Sequence, residues 1–267
     1  MIYFSTSCLK SKESGYEKDV FKVLEAYKEL GIKNVELSNC HSKIFDEKSL
    51  IDILADFNCL IHMNFPNFFD EKFYLNISSS DFKIRSKTIK TAIASIDFAS
   101  KINAKVYSIH AGAMYDSKPC DIMDQDTSYA LMIDSLKQIS EHAVDHGLIV
   151  ALENNFKKNC FLTRLDEFES IIIDAGCEDL MMLCDLGHSN IVYKDKKELI
   201  NSVKRASNNI IEFHLHINNG LVDEHKALID REIINAIQGV SAGFVVESRM
   251  TIKEIKNYKP FIQGLIF

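Results

Sequence analysis

Two short apolar runs, Lys105-Val-Tyr-Ser-Ile-His110 and Leu148-Ile-Val-Ala-Leu-Glu153, enclose a long helical pattern from Asp126 to His146. Runs of this length with branched apolar residues are typical of buried strands, and Gly147 lies where the helix is expected to end. Strands that are joined through a helix run parallel, because an antiparallel pair needs only a short turn. The segment therefore predicts a parallel strand–helix–strand unit in which both strands end on an ionisable side chain.

The same alternation of strand and helix continues outward to both ends of the chain. The predicted strands are Ile2–Ser7, Asn34–Ser38, Cys59–Asn64, Lys105–His110, Leu148–Glu153, Leu180–Asp185, Ile210–His216 and Gly243–Glu247. The predicted helices are Tyr16–Leu30, Ser49–Phe57, Asp81–Ile102, Asp126–His146, Arg164–Ala175, Lys196–Ala206, Glu232–Ile237 and Thr251–Asn257. The eight units of this 267-residue chain average about 33 residues each, which suits a closed eight-unit barrel.

This pattern predicts an α/β fold, a single (β/α)8 TIM barrel that covers residues 1–267 as one domain. An open doubly wound sheet is the alternative, but no Gly-x-Gly-x-x-Gly motif follows the first strand to support it. Pro-rich and Gly/Ser-rich linkers, which would indicate a domain boundary, are missing from the sequence.

Composition narrows the classes of function. The formal net charge of −7 argues against nucleic acid as a partner, because such binding depends on basic residues. No eighteen apolar residues run together, and the first residues resemble a strand rather than a signal peptide, so we expect a cytoplasmic protein without a membrane partner. The seven cysteines never form Cys-x-x-Cys, which favours neither a disulfide framework nor a thiolate zinc site.

Ionisable side chains lie at or just beyond the ends of six predicted strands. They are His62, His110, Glu153, Asp185, His188, His214, His216, Asp223, His225 and Glu247. Taken singly, such a residue is more often a hydrogen-bonded core histidine, a turn cap or a solvated strand end. In a barrel, however, these strand ends meet at one rim, where packed carboxylates cannot all stay ionised without a cation. The set therefore predicts a divalent metal site.

The motifs at these strand ends resemble those of the xylose isomerase-like TIM-barrel superfamily, which contains sugar isomerases and epimerases along with endonuclease IV. The motifs are Glu153-Asn154, Cys184-Asp-Leu-Gly-His188, His214-Leu-His216, Asn218-Asn-Gly-x-x-Asp223-x-His225 and Val246-Glu247. Two positions depart from the family pattern. Ile217 replaces a frequent aspartate, and Leu228-Ile-Asp-Arg231 replaces a Leu-Gly-x-Gly segment, so contacts to the substrate are expected to be atypical.

The resemblance implies two different ligand sets. In the isomerase and epimerase branch, one metal ion is held by the residues that match Glu153, Asp185, His214 and Glu247, while His188 lies beside the substrate and the two glutamates flank the reacting carbon. In endonuclease IV, a zinc cluster uses nine positions. Their counterparts here are His62, His110, Glu153, Asp185, His188, His214, Asp223, His225 and Glu247. The implied cofactor is a divalent metal, zinc or manganese, with one to three ions.

Three hypotheses follow. The first is an isomerase or epimerase of carbohydrate metabolism that acts on a small sugar, sugar phosphate or related polyol, with Glu153, Glu247 and His188 as catalytic residues. The second is an endonuclease IV-like phosphodiesterase that cuts DNA at abasic sites. The third is a barrel without catalytic activity. A homo-oligomer is compatible with all three, and Arg249 is a candidate for contact with a substrate anion.

Overall fold

Eight parallel strands form a closed barrel in which each strand pairs with its neighbours in sequence order and β8 pairs with β1. The structure is a computed structural model that describes residues 1–10, 15–16, 19–38, 46–66, 75–114 and 124–266. The strands are β1 (Ile2–Ser5), β2 (Asn34–Leu37), β3 (Asn58–His62), β4 (Val106–His110), β5 (Ile149–Glu153), β6 (Met181–Asp185), β7 (Ile210–Leu215) and β8 (Gly243–Val246). The predicted single (β/α)8 barrel is confirmed.

Ten α-helices and two short 3-10 turns accompany the strands in the described ranges. The helices are α1 (Ser7–Lys10), α2 (Val20–Glu29), α3 (Glu47–Leu54), α4 (Phe82–Lys101), α5 (Gln125–Asp145), α6 (Phe168–Ala175), α7 (Leu186–Tyr193), α8 (Lys196–Ala206), α9 (Arg231–Ile237) and α10 (Ile252–Ile266). The 3-10 turns are Leu165–Glu167 and Ser207–Asn209. Within the described residues, no helix is both long enough and apolar enough to cross a membrane.

Two helices were not predicted, and one is longer than predicted. α1 and α7 follow β1 and β6, where the sequence analysis predicted no helix, and α1 includes Ser7, which was assigned to the first strand. The expectation that the last helix ends at Asn257 was wrong, because α10 continues through Pro260 to Ile266. Tyr258, Ile262 and Ile266 keep its inner face buried beyond the proline, and this packing offsets the hydrogen bond that proline cannot donate.

Aspartate side chains cap the N-terminal ends of seven helices by accepting a hydrogen bond from a backbone N–H of the first turn. They are Asp19, Asp46, Asp81, Asp124, Asp185, Asp195 and Asp230. Asp81, at which the sequence analysis began the predicted helix, accepts a hydrogen bond from the Lys83 amide at its Oδ1, 2.8 Å away. Each cap satisfies an amide that has no partner within its helix, and this fixes where the chain turns from loop to helix.

The apolar core has two parts. The larger part lies between the strands and the helices and includes Cys184, which is fully buried. The smaller part fills the barrel interior and consists of Leu60, Val106, Ala151, Leu183 and Val245. Because successive strand residues face opposite sides, Cys184 packs among the outer apolar residues while its neighbour Asp185 faces inward.

A β-bulge in β7 changes the alternation of its side chains. Met182 of β6 pairs with Ile210, but the next residue, Leu183, pairs with Glu212, so Ile211 is an extra residue in β7. Bulges of this kind redirect the side chains that follow them. Glu212 consequently lies level with Leu183, and His214 lies level with Asp185.

Candidate metal and catalytic site

The register of the strands brings the predicted residues together at the C-terminal rim of the barrel. His110 of β4 is level with Glu153 of β5, and Asp185 of β6 is level with His214 of β7. Parallel strands in register place equivalent side chains next to one another. The geometry of the site therefore follows from strand pairing, with loops contributing mainly on the side of β7.

The Nδ1 atom of His214 is the point on which three carboxylates converge. It lies 3.1 Å from Oε2 of Glu247, 3.5 Å from Oδ2 of Asp185 and 3.6 Å from Oε1 of Glu153. The side chains of Glu153, Asp185 and His214 are at most 2% exposed, and that of Glu247 is 13% exposed. We call these four residues the inner set.

Four further predicted residues, the outer set, surround these carboxylates: His62, His110, Asp223 and His225. On one side, Oε2 of Glu153 lies 2.7 Å from Nε2 of His110 and 3.5 Å from Nε2 of His62. On the other side, Oδ2 of Asp223 lies 2.9 Å from Nε2 of His225. All eight residues of the two sets therefore lie in one continuous cluster.

His188 lies between the two sets, and its tautomer is fixed by the backbone. Its Nδ1 is 2.8 Å from the carbonyl oxygen of Asn154, to which it donates a hydrogen bond. Its Nε2 is then directed toward Asp223, whose Oδ2 is 3.7 Å away. The ring of Phe156 packs against the His188 ring with centroids 4.9 Å apart, so His188 is held in one orientation on the cavity wall.

His216, the second histidine of the His-Leu-His motif, also belongs to the cluster. Its Nε2 lies 2.8 Å from Oδ2 of Asp185, and its ring stacks on that of His225 with centroids 4.0 Å apart. Gly187 makes room for it, because a Cβ atom at this position would lie only 2.0 Å from Cε1 of His216. The glycine of the Asp-Leu-Gly-His motif is thus required by the His216 ring.

Two buried glutamates that the sequence analysis missed lie inside the barrel beneath His214. Oε2 of Glu36, on β2, is 2.6 Å from Nε2 of His214, and Oε1 of Glu212 is 3.7 Å from the same nitrogen. Both carboxyl groups are fully buried. The signal was present in the sequence, because Glu36 interrupts an apolar strand and Glu212 precedes His214 by two residues. The hydrogen bond to Glu36 directs Nδ1 of His214 toward the inner carboxylates, which is how carboxylates orient ligating histidines.

Comparison with known proteins identifies the family. A model described as xylose isomerase-like TIM barrel matches residues 24–248. The chain belongs to this family. A curated relative, an uncharacterized protein of Methanocaldococcus jannaschii, is 28% identical over 156 residues, which is 57% of this chain and 50% of the relative. The chain spans about half the length of the curated relatives that it matches.

Solved structures share the whole fold. A D-tagatose 3-epimerase-like protein superimposes with a TM-score of 0.77 at 18% identity, over 99% of this chain and 97% of that one. A D-psicose 3-epimerase from Clostridium cellulolyticum H10, solved with D-tagatose, gives a TM-score of 0.72 at 14% identity, over 99% of each chain. At such identities the likeness establishes the barrel, and the chemistry rests on the residues of this chain.

The carboxylates and histidines of the rim strongly affect one another's ionisation. Burial opposes ionisation of Glu153 and Asp185, but the neighbouring histidines hold the pKa of each carboxyl well below its usual range. Burial also opposes protonation of the histidines, but the surrounding carboxylates raise the pKa of His188 to about 10 and that of His225 to about 9. The carboxylates therefore stay ionised and attract positive charge, either as protons on imidazole or as a metal ion.

The donor atoms fit a divalent metal ion. Four buried atoms of the rim that could bind a metal have no hydrogen-bond partner among the described residues: Oε2 of Glu153, Nδ1 of His214, Nδ1 of His216 and Oδ1 of Asp223. One group of three residues whose ligand atoms lie within 4.8 Å of one another is His216, Asp223 and His225. Imidazole nitrogen and carboxylate oxygen without thiolate suit zinc or manganese. The residues present can therefore hold the implied metal.

A cavity of about 470 Å³ opens above these residues. Its wall includes Glu153, Glu247 and His188 together with Phe156 and Lys157. Pockets of this size typically hold small molecules. Arg249, which was a candidate for contact with a substrate anion, is exposed and does not belong to the described cavity wall.

The loop that follows β7 carries Asp223 and His225 and is closed at its base. The amides and carbonyls of Ile217 and Lys226 exchange two hydrogen bonds of 2.9 Å. His225 has a φ of 50°, a left-handed backbone conformation that is strained for a residue with a side chain. The Arg249 amide donates a hydrogen bond to the His225 carbonyl at 2.8 Å, and this bond stabilises the strained conformation.

The atypical residues after this loop have structural roles. Leu228 is fully buried, and its carbonyl accepts a hydrogen bond from the Tyr258 hydroxyl at 2.7 Å. Asp230 caps α9. Where the family pattern has glycines, this chain therefore has a segment that is fixed by the burial of Leu228 and by its bond to Tyr258, and that leads into α9.

Proposed function

We propose that the protein is a divalent-metal-dependent isomerase or epimerase of a small sugar, sugar phosphate or related polyol. The observation that carries this proposal is the convergence of Glu153, at the end of β5, and Glu247, directly after β8, on Nδ1 of His214. Two carboxylates that reach one point from different strands suit a reaction in which one removes a proton and the other returns it. The fold shared with sugar epimerases adds support.

The metal ion would be held by Glu153, Asp185, His214 and Glu247. When bound, it would supply Lewis-acid polarisation of the substrate carbonyl, which acidifies the neighbouring C–H bond. Glu153 suits the role of base, because His110 and His62 keep its carboxylate ionised despite burial. Glu247 is likewise kept ionised, chiefly by His214, and accepts a hydrogen bond from Oγ of Ser7 at 3.5 Å.

The cavity wall suits a polyhydroxylated ligand. His188 has Nδ1 fixed by the Asn154 carbonyl, so its Nε2 is available to hold a hydroxyl or carbonyl oxygen. Phe156 offers an apolar face beside it. The polar groups needed to orient a sugar and the proton-transfer groups therefore lie on the same wall.

Deuterium incorporation tests the proposal. The native protein, incubated in deuterated water with a panel of ketoses, ketose phosphates and related keto-polyols, should place deuterium on the carbon beside the carbonyl. Glu153→Gln and Glu247→Gln should each lower the exchange by about 100-fold or more, since a positioned base contributes at least that much. Glu169→Gln, the same change at an exposed position of α6, is the matched control and should exchange normally.

Metal content is measured in parallel, so that a loss of exchange can be separated from a loss of metal. The proposal fails if the native protein exchanges no substrate proton across the panel. It also fails if both glutamine variants keep native exchange rates.

One observation favours a second candidate, an endonuclease IV-like phosphodiesterase. The outer set forms additional groups with metal-ligand spacing, namely His62 and His110 with Glu153, and Asp223 and His225 with His216. A metal cluster would supply activation of water and neutralisation of phosphate charge. This candidate predicts nicking of an oligonucleotide that carries an abasic site, without any exchange of sugar protons.

A further inference from the structure

A second cluster of metal-ligating side chains lies on the outer helical layer. α4 and α5 pack side by side, and they bring together Asp97, His142 and His146. Residues four apart at a helix end lie on one face, so His142 in the last turn of α5 and His146, which directly follows α5, are neighbours. Their rings lie with centroids 4.3 Å apart and an interplanar angle of 33°. The two imidazoles therefore form a pair that faces α4.

Ligand atoms from the three residues point toward a common position. Oδ1 of Asp97 is 2.7 Å from Nε2 of His142 and 3.5 Å from Nε2 of His146. The three donor atoms all lie within 4.8 Å of one another. Two histidines at this helical spacing, completed by a third ligand from elsewhere, make a recurrent zinc-binding arrangement.

The hydrogen bonding of His146 prepares it as a ligand. Its Nδ1 lies 2.8 Å from the carbonyl oxygen of His142, to which it donates a hydrogen bond. In the neutral ring the proton is thus on Nδ1, and the lone pair of Nε2 faces Asp97 and His142. Ligating histidines are commonly oriented by such a bond from the second ring nitrogen to a carbonyl.

The cluster is accessible and lies near the opposite ends of the strands from the residues of the rim. The side chains of His142, His146 and Asp97 are 28%, 34% and 46% exposed, so an ion can enter and complete its coordination with water. α4 and α5 end shortly before β4 and β5 begin, so these residues lie near the starts of the strands. The candidate catalytic residues lie at the strand ends, and the two clusters share no residue.

We propose that Asp97, His142 and His146 form a second divalent-metal site, selective for imidazole-preferring ions such as zinc, which clamps α4 to α5. Three protein ligands of the type N, N and O leave room for water in the remaining coordination positions. Mg²⁺ and Ca²⁺ are disfavoured, because those ions prefer oxygen ligands. In a barrel, residues at this end of the strands serve stability rather than catalysis.

Zinc stoichiometry is the first test. Equilibrium dialysis with zinc alone should show one ion fewer per chain in His146→Ala than in the native protein, whatever number the rim binds. Asp97→Asn keeps the shape of the side chain and should also lose this ion. Asp134→Asn, the same change at an exposed aspartate of α5 that bonds Gln138, is the control and should keep it.

The Asp185→Ala background lowers the contribution of the rim, because it removes a residue of the inner set. In this background zinc should raise the melting temperature, since an ion that binds only the folded chain stabilises it. Adding His146→Ala should reduce the rise, whatever zinc the outer set still binds. Copper bound in the same background should give an electron paramagnetic resonance spectrum with splitting from two imidazole nitrogens.

Equal zinc stoichiometry in the native protein and in His146→Ala would overturn the proposal and leave an ordinary ion pair between His142 and Asp97. A melting temperature that does not respond to zinc in the Asp185→Ala background would overturn it as well. Both outcomes are independent of sugar exchange, so they leave the proposed isomerase activity untouched.

Discussion

The inner and outer sets of the rim differ in how firmly the fold holds them. In the inner set, Glu153, Asp185 and His214 are positioned by the register of β5, β6 and β7, and Glu247 directly follows β8. Glu36 additionally fixes His214 from below. In the outer set, His110 is 39% exposed, and Asp223 and His225 lie on a loop. Rigid, buried side chains suit a permanently bound metal ion, whereas exposed ones suit contacts that vary with the substrate. The comparison predicts that metal content depends on the inner set and the type of reaction on the outer set.

Loss of a carboxylate of the inner set should have the largest effect on metal content. Asp185→Ala is expected to abolish metal binding at the rim, because it removes a ligand and the acceptor of His216. The barrel should remain folded, since the lost cap of α7 costs on the order of 1 kcal/mol. Elemental analysis and thermal melting measure both effects. Asp195→Ala removes the equivalent cap from α8 and should keep full metal content. Full metal content in Asp185→Ala would rule out the inner set as the metal site.

Replacement of Glu36, which lies beneath the inner set, should have a smaller but measurable effect on metal binding. Glu36→Gln is expected to weaken metal affinity by about 10- to 100-fold, the usual effect of losing a carboxylate that orients a ligating histidine. Titration with zinc measures it. Glu212→Gln is the matched control, because burial and the Glu36 carboxylate raise the pKa of Glu212 well above its usual value and so favour its uncharged form. Equal affinities in the two variants would show that Glu36 does not orient His214.

The outer set should have the smallest effect on metal content. If the protein is an isomerase, His110→Ala should leave the metal of the inner set in place and lower the rate of deuterium exchange, because Glu153 loses its 2.7 Å partner. Metal analysis and exchange rates on the same preparation measure both quantities. A lost ion together with lost nicking of abasic-site DNA would instead favour the phosphodiesterase.

Much of the site was predictable because strand periodicity and strand ends are local features of the sequence. Glu153, Asp185 and Glu247 each close an apolar run, so their arrival at one rim follows from the barrel alone. Glu36 and Glu212 were missed because a polar residue within a strand has meaning only when the opposite side of the barrel is known. The bulge at Ile211 likewise depends on pairing with β6, which the sequence of β7 does not encode.

The helix boundaries show the same division between local and tertiary information. Asp81 was recognisable as a cap because its bond to Lys83 is local. The extension of α10 past Pro260 was not, because burial of Tyr258, Ile262 and Ile266 against the rest of the barrel decides it. α7 was overlooked because Asp185 and His188, at its start, were interpreted as metal ligands rather than as the beginning of a helix.

The paired hydrogen bonds between Ile217 and Lys226 make the loop after β7 a closed ring of residues 217–226. Asp223 and His225 therefore cannot leave the site separately, because opening the ring at its base releases both at once. In hydrogen exchange, the two base amides should behave as one cooperative unit, slower than the loop tip and slower again when a ligand engages Asp223 or His225. Binding of a ligand at the rim should thus slow the hydrogen exchange of the Ile217 and Lys226 amides together.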